Sequence, residues 1–280
     1  MSLTNKVDFA VVFSVKNANP NGDPLNGNRP RTNYSGIGEV SDVCIKRKIR
    51  NRLMQEGQEV FVQSDDNKLD ECKSLRERAK AVIDFKKPIA ENVKLACKKW
   101  FDVRAFGQVF AYKEDKKDKD PAVSIPVRGP VSIHTAFSLD KVSITSTQIT
   151  KSVNSETPKN KVGEDKDKKS SDTMGMKHRV DEAVYVFYGS MNPQLAIKTG
   201  FSDDDAKVIK EILPKLFEND ASSARPEGSM EVLKVVWWQH DHPHGNVSSA
   251  KVHRSLKVNS DGTIKCPEIN GLKPEEIDGF

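Results

Sequence analysis

Four segments of the chain carry the apolar pattern of β-strands. Apolar residues occupy every second position over 7–16 and again over 131–139, which is the period of a strand with one buried face. Shorter apolar runs over 184–191 and 230–239 predict two further strands.

Two segments carry the apolar stripe of an amphipathic helix. The first begins near Ser41, a favourable N-cap residue, and repeats apolar residues at every fourth position as far as Leu53. The second follows Ser202 and should kink at Pro214. With the strands, the order is strand, helix, strand, strand, helix, strand, as in ferredoxin-like and RRM-like folds. We therefore predict an α+β fold in which helices cover one face of an antiparallel sheet.

Two long segments do not fit this order and predict insertions into a single domain that spans 1–280. Residues 55–125 contain two further helical patterns, over 70–85 and 91–101, which indicates a helical insertion. Residues 145–182 are largely polar and predict a protruding insertion. We expect its tip, 154–173, to be mobile, because its Lys, Asp and Ser residues cannot form an apolar core.

The composition fits an intracellular protein and gives weak support to an anionic partner. Of the 280 residues, 36% are hydrophobic and 30% are charged, and the net charge at pH 7 is +5, so nucleic-acid binding would require clustered charge. The apolar runs are all shorter than the roughly 18 residues of a membrane span, and Asp8 interrupts the N-terminal one. The four cysteines include no close pair, which excludes a CxxC site. We expect a cytoplasmic protein without a membrane segment.

Basic residues are concentrated in the first predicted helix. Residues 41–52 contain one acid and five bases, which are Lys46, Arg47, Lys48, Arg50 and Arg52. Lys46 and Arg50 share one flank, where like charges repel each other. A phosphate backbone beside the helix would relieve that repulsion, and an ordinary solvated face is the alternative. The preceding segment, 17–38, is rich in Asn, Pro and Gly and predicts an irregular loop. Its Arg29 and Arg31 could reach the same phosphates.

Two further clusters each have a chemical and an ordinary interpretation. Three histidines and an aspartate over 239–244 could ligate a metal, but Pro243 breaks their spacing and the run also fits a polar exit from a strand, so we assign no metal site. The stretch 174–179 combines two methionines with three potential cations. It could wedge between bases and hold phosphates, or it could be the return strand of a hairpin.

The chain carries no recognisable catalytic motif. It has no GxSxG sequence and no Walker or GxGxxG loop, so we expect neither an enzyme nor a nucleotide cofactor. Asp23 and Asp42 could hold Mg²⁺ near a phosphate, but two scattered acids do not define a site.

Several motifs, in order over nearly the whole chain, resemble those of one known family. They are Asn19-Pro-Asn-Gly-Asp-Pro24, Gly38-Glu-Val-Ser-Asp-Val43, Lys46-Arg-Lys-Ile-Arg-Asn51, Phe101-Asp-Val-Arg-Ala-Phe-Gly107, Val127-Arg-Gly-Pro-Val131, Met174-Gly175 with Lys177-His178, and Thr199-Gly-Phe-Ser-Asp-Asp-Asp205. The chain is similar to the backbone subunit of type I-C CRISPR Cascade complexes, which is the Csd-type Cas7 family of the RAMP superfamily.

The resemblance implies an RRM-like palm, a helical fingers insertion and a long thumb β-hairpin. It also implies a non-catalytic subunit whose copies form a helical filament along the CRISPR RNA (crRNA) and present it for pairing with target DNA. The implied partners are other Cascade subunits, namely the crRNA-processing subunit, the large PAM-reading subunit and a small subunit, together with a recruited helicase–nuclease.

The resemblance further implies two sets of RNA-binding residues. The guide phosphates would be contacted by Arg29, Arg31, Ser41, Lys46, Arg47 and Arg50. The return strand of the thumb would contribute Met174, Met176, Lys177 and Arg179. The family usually has arginine where this chain has Met176, so Lys177 or Arg179 would replace that contact. The two methionines would fill a gap in the base stack, or would pack beneath the palm instead.

Two other functions remain open from the sequence. One is a RAMP-type nuclease that uses a loop aspartate, as type III relatives do, for which Asp23 is the candidate. The other is a stand-alone RRM-like RNA binder, although the chain has no aromatic run of the RNP type.

Overall fold

The computed structural model describes residues 1–114, 121–150 and 174–280. The tip predicted to be mobile, 154–173, lies outside these residues. The helices of the described part are α1 Asp42–Gln55, α2 Leu75–Lys80, α3 Ile89–Lys99, α4 Phe101–Phe106, α5 Pro193–Thr199, α6 Asp203–Ile212 and α7 Ser249–Ser255. None of these helices has the length and apolar content needed to cross a bilayer.

The strands of the described part lie before α1, between α4 and α5, and after α6. They are β1 Val7–Ala18, β2 Gly22–Asp23, β3 Arg29–Pro30, β4 Ile37–Val40, β5 Gly107–Tyr112, β6 Val123–Arg128, β7 Val131–Ile133, β8 Ala136–Lys141, β9 Ile144–Thr150, β10 Met174–Met191, β11 Met230–Gln239, β12 Lys257–Val258, β13 Ile264–Lys265 and β14 Glu275–Asp278.

The centre of the fold is an antiparallel sheet of eight strands among the described residues. Its order is β14-β11-β1-β10-β8-β4, and β7 and β9 also pair with β10. The predicted α+β class with an antiparallel sheet is confirmed. The strand predicted over 131–139 is interrupted between β7 and β8, and β10 begins ten residues earlier than predicted because its first part pairs with β9.

One face of the sheet carries the main apolar core. The apolar stripe of α1 and the buried side of α6 pack against this face, so the predicted helix positions are confirmed. Phe13 lies at the centre, with ring centroids 5.3 Å from Tyr185 and 5.0 Å from Phe217. At Pro214, where the sequence predicts a kink, the α-helix gives way to a 3-10 turn instead.

The opposite face of the sheet is also covered, which the alternating pattern of β1 does not predict. Ala10 and Val12 are buried there against α7 and the C-terminal residues Val252, Leu256 and Leu272. Small apolar side chains at these positions let the C-terminal segment pack closely. Both faces of β1 are therefore buried, since nine of its twelve residues are protected from solvent and one more is partly protected.

The insertion predicted over 55–125 contains helices, a hairpin and its own apolar cluster. Phe61, Trp100 and Phe110 lie within 4.7 to 6.2 Å of one another, measured between ring centroids. The hairpin β5–β6, which the sequence analysis missed, closes this cluster. The helix predicted between positions 70 and 85 is reduced to the six residues of α2. The insertion boundaries themselves stay a prediction.

The loop over 17–38, expected to be irregular, is more ordered than its composition indicates. It contains a short 3-10 turn, Pro24–Asn26, and the paired strands β2 and β3. It ends in β4, which forms the sheet edge by pairing with β8. This pairing brings the loop next to the hairpin formed by β9 and β10.

Candidate nucleic-acid interface

The side chain of Asn21 attaches the turn-rich loop to the start of α1. Asn21 Oδ1 accepts hydrogen bonds from the backbone N–H and the hydroxyl of Ser41, both at 2.9 Å. Ser41 Oγ in turn accepts from the Cys44 N–H at 3.3 Å, so Ser41 caps the helix as predicted. Its hydroxyl therefore positions the helix and the loop relative to each other. Asn21 was not among the predicted site residues.

Most of the bases on α1 are paired with acids of the same chain, which corrects the charge argument made from the sequence. Four of the five bases form ion pairs, which are Lys46–Asp42, Lys48–Asp220, Arg50–Asp102 and Arg52–Glu56. These acids relieve the repulsion between like charges on the helix, so that repulsion does not by itself require a phosphate. Among the described residues, Arg47 has neither an ion pair nor a hydrogen bond, although its charge interacts with the Asp66 carboxylate. It is the base of α1 best placed to accept an external anion.

Arg50 joins α1 to the insertion. Its Nε donates to Asp102 Oδ2 at 2.8 Å, and its guanidinium lies 5.3 Å from the centre of the Phe106 ring. The buried Asp102 carboxylate also accepts from the backbone N–H groups of Phe61 and Val62, at 2.7 and 3.1 Å. Arg50 is 13% exposed. Its phosphate contact stays a prediction, and in this arrangement the guanidinium is held by Asp102.

Arg29 connects the loop to the hairpin of β9 and β10. Its guanidinium Nη2 donates to Ser146 Oγ at 2.9 Å, and the same hydroxyl lies 2.9 Å from His178 Nδ1. Ser146 and His178 face each other across the two strands. The structure thus places the loop that carries Arg29 against the hairpin whose strand β10 carries the second predicted set, although Arg29 and Ser146 are 117 positions apart in the chain. Ser146, which sequence reasoning missed, has no local signal that would have identified it.

The hairpin presents exposed apolar side chains on one face and exposed basic side chains on the other. Residues 174–179 form the first part of β10 and pair with β9, so the return-strand interpretation is confirmed. Met174 is 63% exposed and Met176 is 55% exposed, which rules out the alternative that both pack in the core. Strand alternation places these methionines on one face and Lys177 and Arg179 on the other. Lys177 forms no ion pair with the described residues, and Arg179 lies 3.9 Å from Asp181.

The carboxylate of Asp23, which the nuclease alternative would use, already interacts with other residues of the loop. It caps the short 3-10 turn by accepting from the Leu25 N–H at 3.2 Å. The same Oδ1 lies 3.5 Å from Arg31 Nη2, so Arg31, the second arginine of the loop, forms an ion pair with Asp23. Over the described ranges, no three His, Cys, Asp or Glu side chains are grouped so that they could hold a metal.

The histidine run at the end of β11 does not converge on one point. His240 is buried, and its Nδ1 accepts from the Asn246 N–H at 3.0 Å, so Nε2 carries the proton and donates to Asp8 at 2.9 Å. Burial raises the pKa of Asp8, but hydrogen bonds led by that from His240 outweigh it and keep the pKa well below its ordinary value. His242 and His244 lie in the exposed loop beyond. The run is thus a polar exit from the strand.

Comparison with known proteins identifies the family. The family model described as "CRISPR-associated protein Cas7" matches residues 5–273. The chain belongs to the Cas7 family. Membership of the Cas7 family, predicted from the motifs, is therefore confirmed, and the type I-C, Csd-type assignment stays a prediction.

Individual members of the family are distant from this chain in sequence. The CRISPR-associated protein Cas7 of Haloferax volcanii is 23% identical over an alignment of 300 residues, which covers 97% of this chain and 81% of the relative. A solved structure described as "CRISPR RNA-guided surveillance complex, pre-nicking" has a TM-score of 0.49 at 16% identity and covers 92% of this chain and 82% of its own. A second, described as "CRISPR RNA-guided surveillance complex", has a TM-score of 0.47 at 18% identity, with coverages of 92% and 78%.

Proposed function

We propose that this Cas7 protein is a non-catalytic, crRNA-binding backbone subunit of a type I-C Cascade surveillance complex. It would polymerise along the guide RNA and present it for pairing with target DNA. The observation that carries the proposal, beside family membership, is the contact between Arg29 and Ser146. This contact attaches the arginine loop to the hairpin face that carries the exposed methionines, because Ser146 pairs with His178, which shares that face with Met174 and Met176. Cations beside exposed apolar side chains are a combination suited to single-stranded nucleic acid.

The parts of the fold have corresponding roles in this proposal. The strands β11, β1, β10 and β8, with α1 and α6 on one face, form an RRM-like palm. The segment 55–125, with its own apolar cluster, forms the fingers. The segment 145–182, whose described part is the hairpin of β9 and β10, forms the thumb.

The proposed phosphate contacts are two cations that lie on different elements and form no ion pair with the described residues. Arg47 on α1 and Lys177 on the hairpin have no ion pair or hydrogen bond within the part of the chain that the structure describes, so binding a phosphate breaks no existing bond. Arg29 and Arg31 are partly committed to Ser146 and Asp23 but retain further donors. We propose that Lys46, Arg50 and Ser41 act mainly by holding α1 and the loop in place.

The proposed partners follow from the place of such a subunit in a complex. They are crRNA, further copies of the chain in a helical filament, the crRNA-processing subunit, the large PAM-reading subunit, the small subunit and the recruited helicase–nuclease. Target DNA would be bound through pairing with the guide, so the protein would recognise backbone and shape rather than sequence. The proposed location is the cytoplasm, and no cofactor is assigned.

The test is the salt dependence of RNA binding by the purified chain. A 30-nucleotide single-stranded RNA is titrated at several salt concentrations, and the slope of log affinity against log salt is measured. Replacing both Arg47 and Lys177 by Ala should weaken binding to all sequences and reduce the slope by roughly 1.4, because each lost contact to a single-stranded phosphate removes about 0.7.

The matched control changes the same charge on the opposite side of the sheet. Lys251 and Lys257 are exposed beside the C-terminal segment, and replacing both by Ala should leave the slope unchanged. Equal slopes for the two double variants would refute the proposed phosphate contacts. Mg²⁺-dependent cleavage of the RNA that is abolished by Asp23→Ala would replace the backbone function with the nuclease.

A further inference from the structure

Tyr34 is an aromatic side chain left in solvent on an ordered loop. Its ring is fully exposed, whereas Tyr185 is buried and Tyr188 stacks on His253 at 4.8 Å between ring centroids. Within the described ranges, the Tyr34 side chain forms no ring contact, cation contact or hydrogen bond. An aromatic ring that contributes nothing to the core is available to bind a ligand.

The backbone beneath Tyr34 is fixed by hydrogen bonds centred on Asn33. The Asn33 side-chain oxygen accepts from the N–H groups of Ser35 and Ile37, both at 3.0 Å. The Asn33 N–H donates to the Ile37 carbonyl at 2.9 Å, and the Gly36 N–H donates to the Asn33 carbonyl at 3.0 Å. Gly36 has a φ of 80°, which a residue with a side chain rarely adopts. The turn therefore holds the Tyr34 backbone in one position without any packing of the ring.

The same turn is attached to the root of the hairpin. The Val142 N–H donates to the Gly36 carbonyl at 3.0 Å, just before β9 begins. Ile37 pairs with Lys141 in the sheet, and Arg29 of the same loop reaches Ser146 on β9. The exposed ring thus stands on the loop that carries the two arginines, beside the strand pair that carries the exposed methionines.

We propose that Tyr34 is a stacking platform for an unpaired nucleobase. This inference rests on the proposed RNA-binding function and adds to it a residue that contacts a base rather than a phosphate. Single-stranded nucleic acids are held by cations that follow the backbone and by aromatic faces on which bases stack. Arg29 and Arg31 on the same loop favour a polyanion over a neutral protein surface as the ligand. Because every base has a π-face, the contact would be independent of sequence.

Stacking can be separated from charge by comparing two substitutions with a 30-nucleotide oligouridine RNA as the probe. Tyr34→Ala should weaken binding about tenfold while leaving the salt slope unchanged, because stacking releases no counterions. Tyr34→Phe should bind like the parent chain, because the ring is retained. Phe280→Ala is the matched control, since this ring is 83% exposed at the far end of the sheet and its loss should have no effect.

A direct readout comes from Tyr34→Trp, because the native tryptophans Trp100, Trp237 and Trp238 are all buried. The new exposed indole should be quenched when oligouridine binds, and its emission in the free protein should be that of a solvated indole. Thermal melting of all variants should match the parent, since the ring makes no packing contact.

Several results would overturn the inference. Parent-like RNA affinity of Tyr34→Ala would do so, as would weak binding by Tyr34→Phe, which would indicate a contact through the hydroxyl. Normal RNA affinity with lost self-association in Tyr34→Ala would show that the ring binds protein. If the parent chain itself fails to bind RNA, the proposed function fails and the stacking role fails with it.

Discussion

Removing the Asp220 carboxylate should leave the Lys48 ammonium group buried without a counter-charge. The side chain of Lys48 is 0% exposed and donates a hydrogen bond to Asp220, and its Nζ lies 5.4 Å from the centre of the Phe217 ring. Burial lowers the pKa of Lys48, and the neighbouring carboxylate offsets part of that effect. Arg225 also pairs with Asp220, at 3.3 Å, so the carboxylate serves two cations.

The size of the effect follows from the two ways in which the variant can respond. Breaking a buried ion pair by removing one partner typically costs about 3–5 kcal/mol. The buried amine of Asp220→Ala can instead lose its proton. Because removing a proton from a lysine of pKa near 10.4 costs about 1.4 kcal/mol per pH unit below that value, the destabilisation by the unpaired lysine cannot exceed about 5 kcal/mol at pH 7 and about 2 kcal/mol at pH 9.

The direction of the pH dependence is set by linkage. A lysine whose folded pKa lies below its unfolded value binds fewer protons in the folded state, so stability rises with pH until about 10.4. We therefore expect the unpaired lysine to destabilise Asp220→Ala by roughly 3–5 kcal/mol at pH 7 and by no more than about 2 kcal/mol at pH 9, in addition to a loss from Arg225 that is the same at both pH values. Urea unfolding at the two pH values, each compared with the parent chain, measures both numbers.

A second substitution separates the buried charge from other losses at this site. Adding Lys48→Met to Asp220→Ala should recover most of the lost stability, because an unbranched apolar side chain of similar length replaces the unpaired amine. The salt slope of RNA binding should stay unchanged in the double variant, because Lys48 is inaccessible to phosphate. A loss in Asp220→Ala that is equal at pH 7 and pH 9, and that Lys48→Met leaves uncorrected, would refute the reasoning.

Two further predictions concern the hairpin and the insertion. Replacing both Met174 and Met176 by Ser should change stability by less than about 0.5 kcal/mol, because both are exposed, while RNA-dependent assembly loses regular spacing. A melting temperature several degrees lower, with normal assembly seen by electron microscopy, would contradict the wedge role. Asp102→Ala should destabilise the chain by about 3–5 kcal/mol, because the part-buried Arg50 guanidinium and the backbone N–H groups of Phe61 and Val62 lose their acceptor. Chemical unfolding measures this loss, and a change below about 1 kcal/mol would show that water replaces the carboxylate.

Patterns between neighbouring residues were sufficient to predict the main elements. The apolar stripe of α1 is buried as predicted, because a helix presents every third or fourth residue on one face and that face must leave water. Met230–Gln239 was predicted with its observed ends. The hairpin β5–β6 and the short edge strands were missed, because their strand character depends on partners that the local pattern does not contain.

The candidate site likewise combines features that depend on neighbouring residues with contacts between residues far apart in the chain. The basic character of α1, the cap at Ser41 and the family motifs could be seen in the chain, since each depends on residues a few positions apart. The chain alone could not reveal which bases are available to a ligand. Lys48 and Arg50 find their acids 172 and 52 positions away, and the Arg29–Ser146 contact spans 117 positions. Such contacts depend on how the sheet brings distant segments together, so the tertiary structure decided them, whereas the sequence by itself determined the main helices and strands, their order and the Cas7 family.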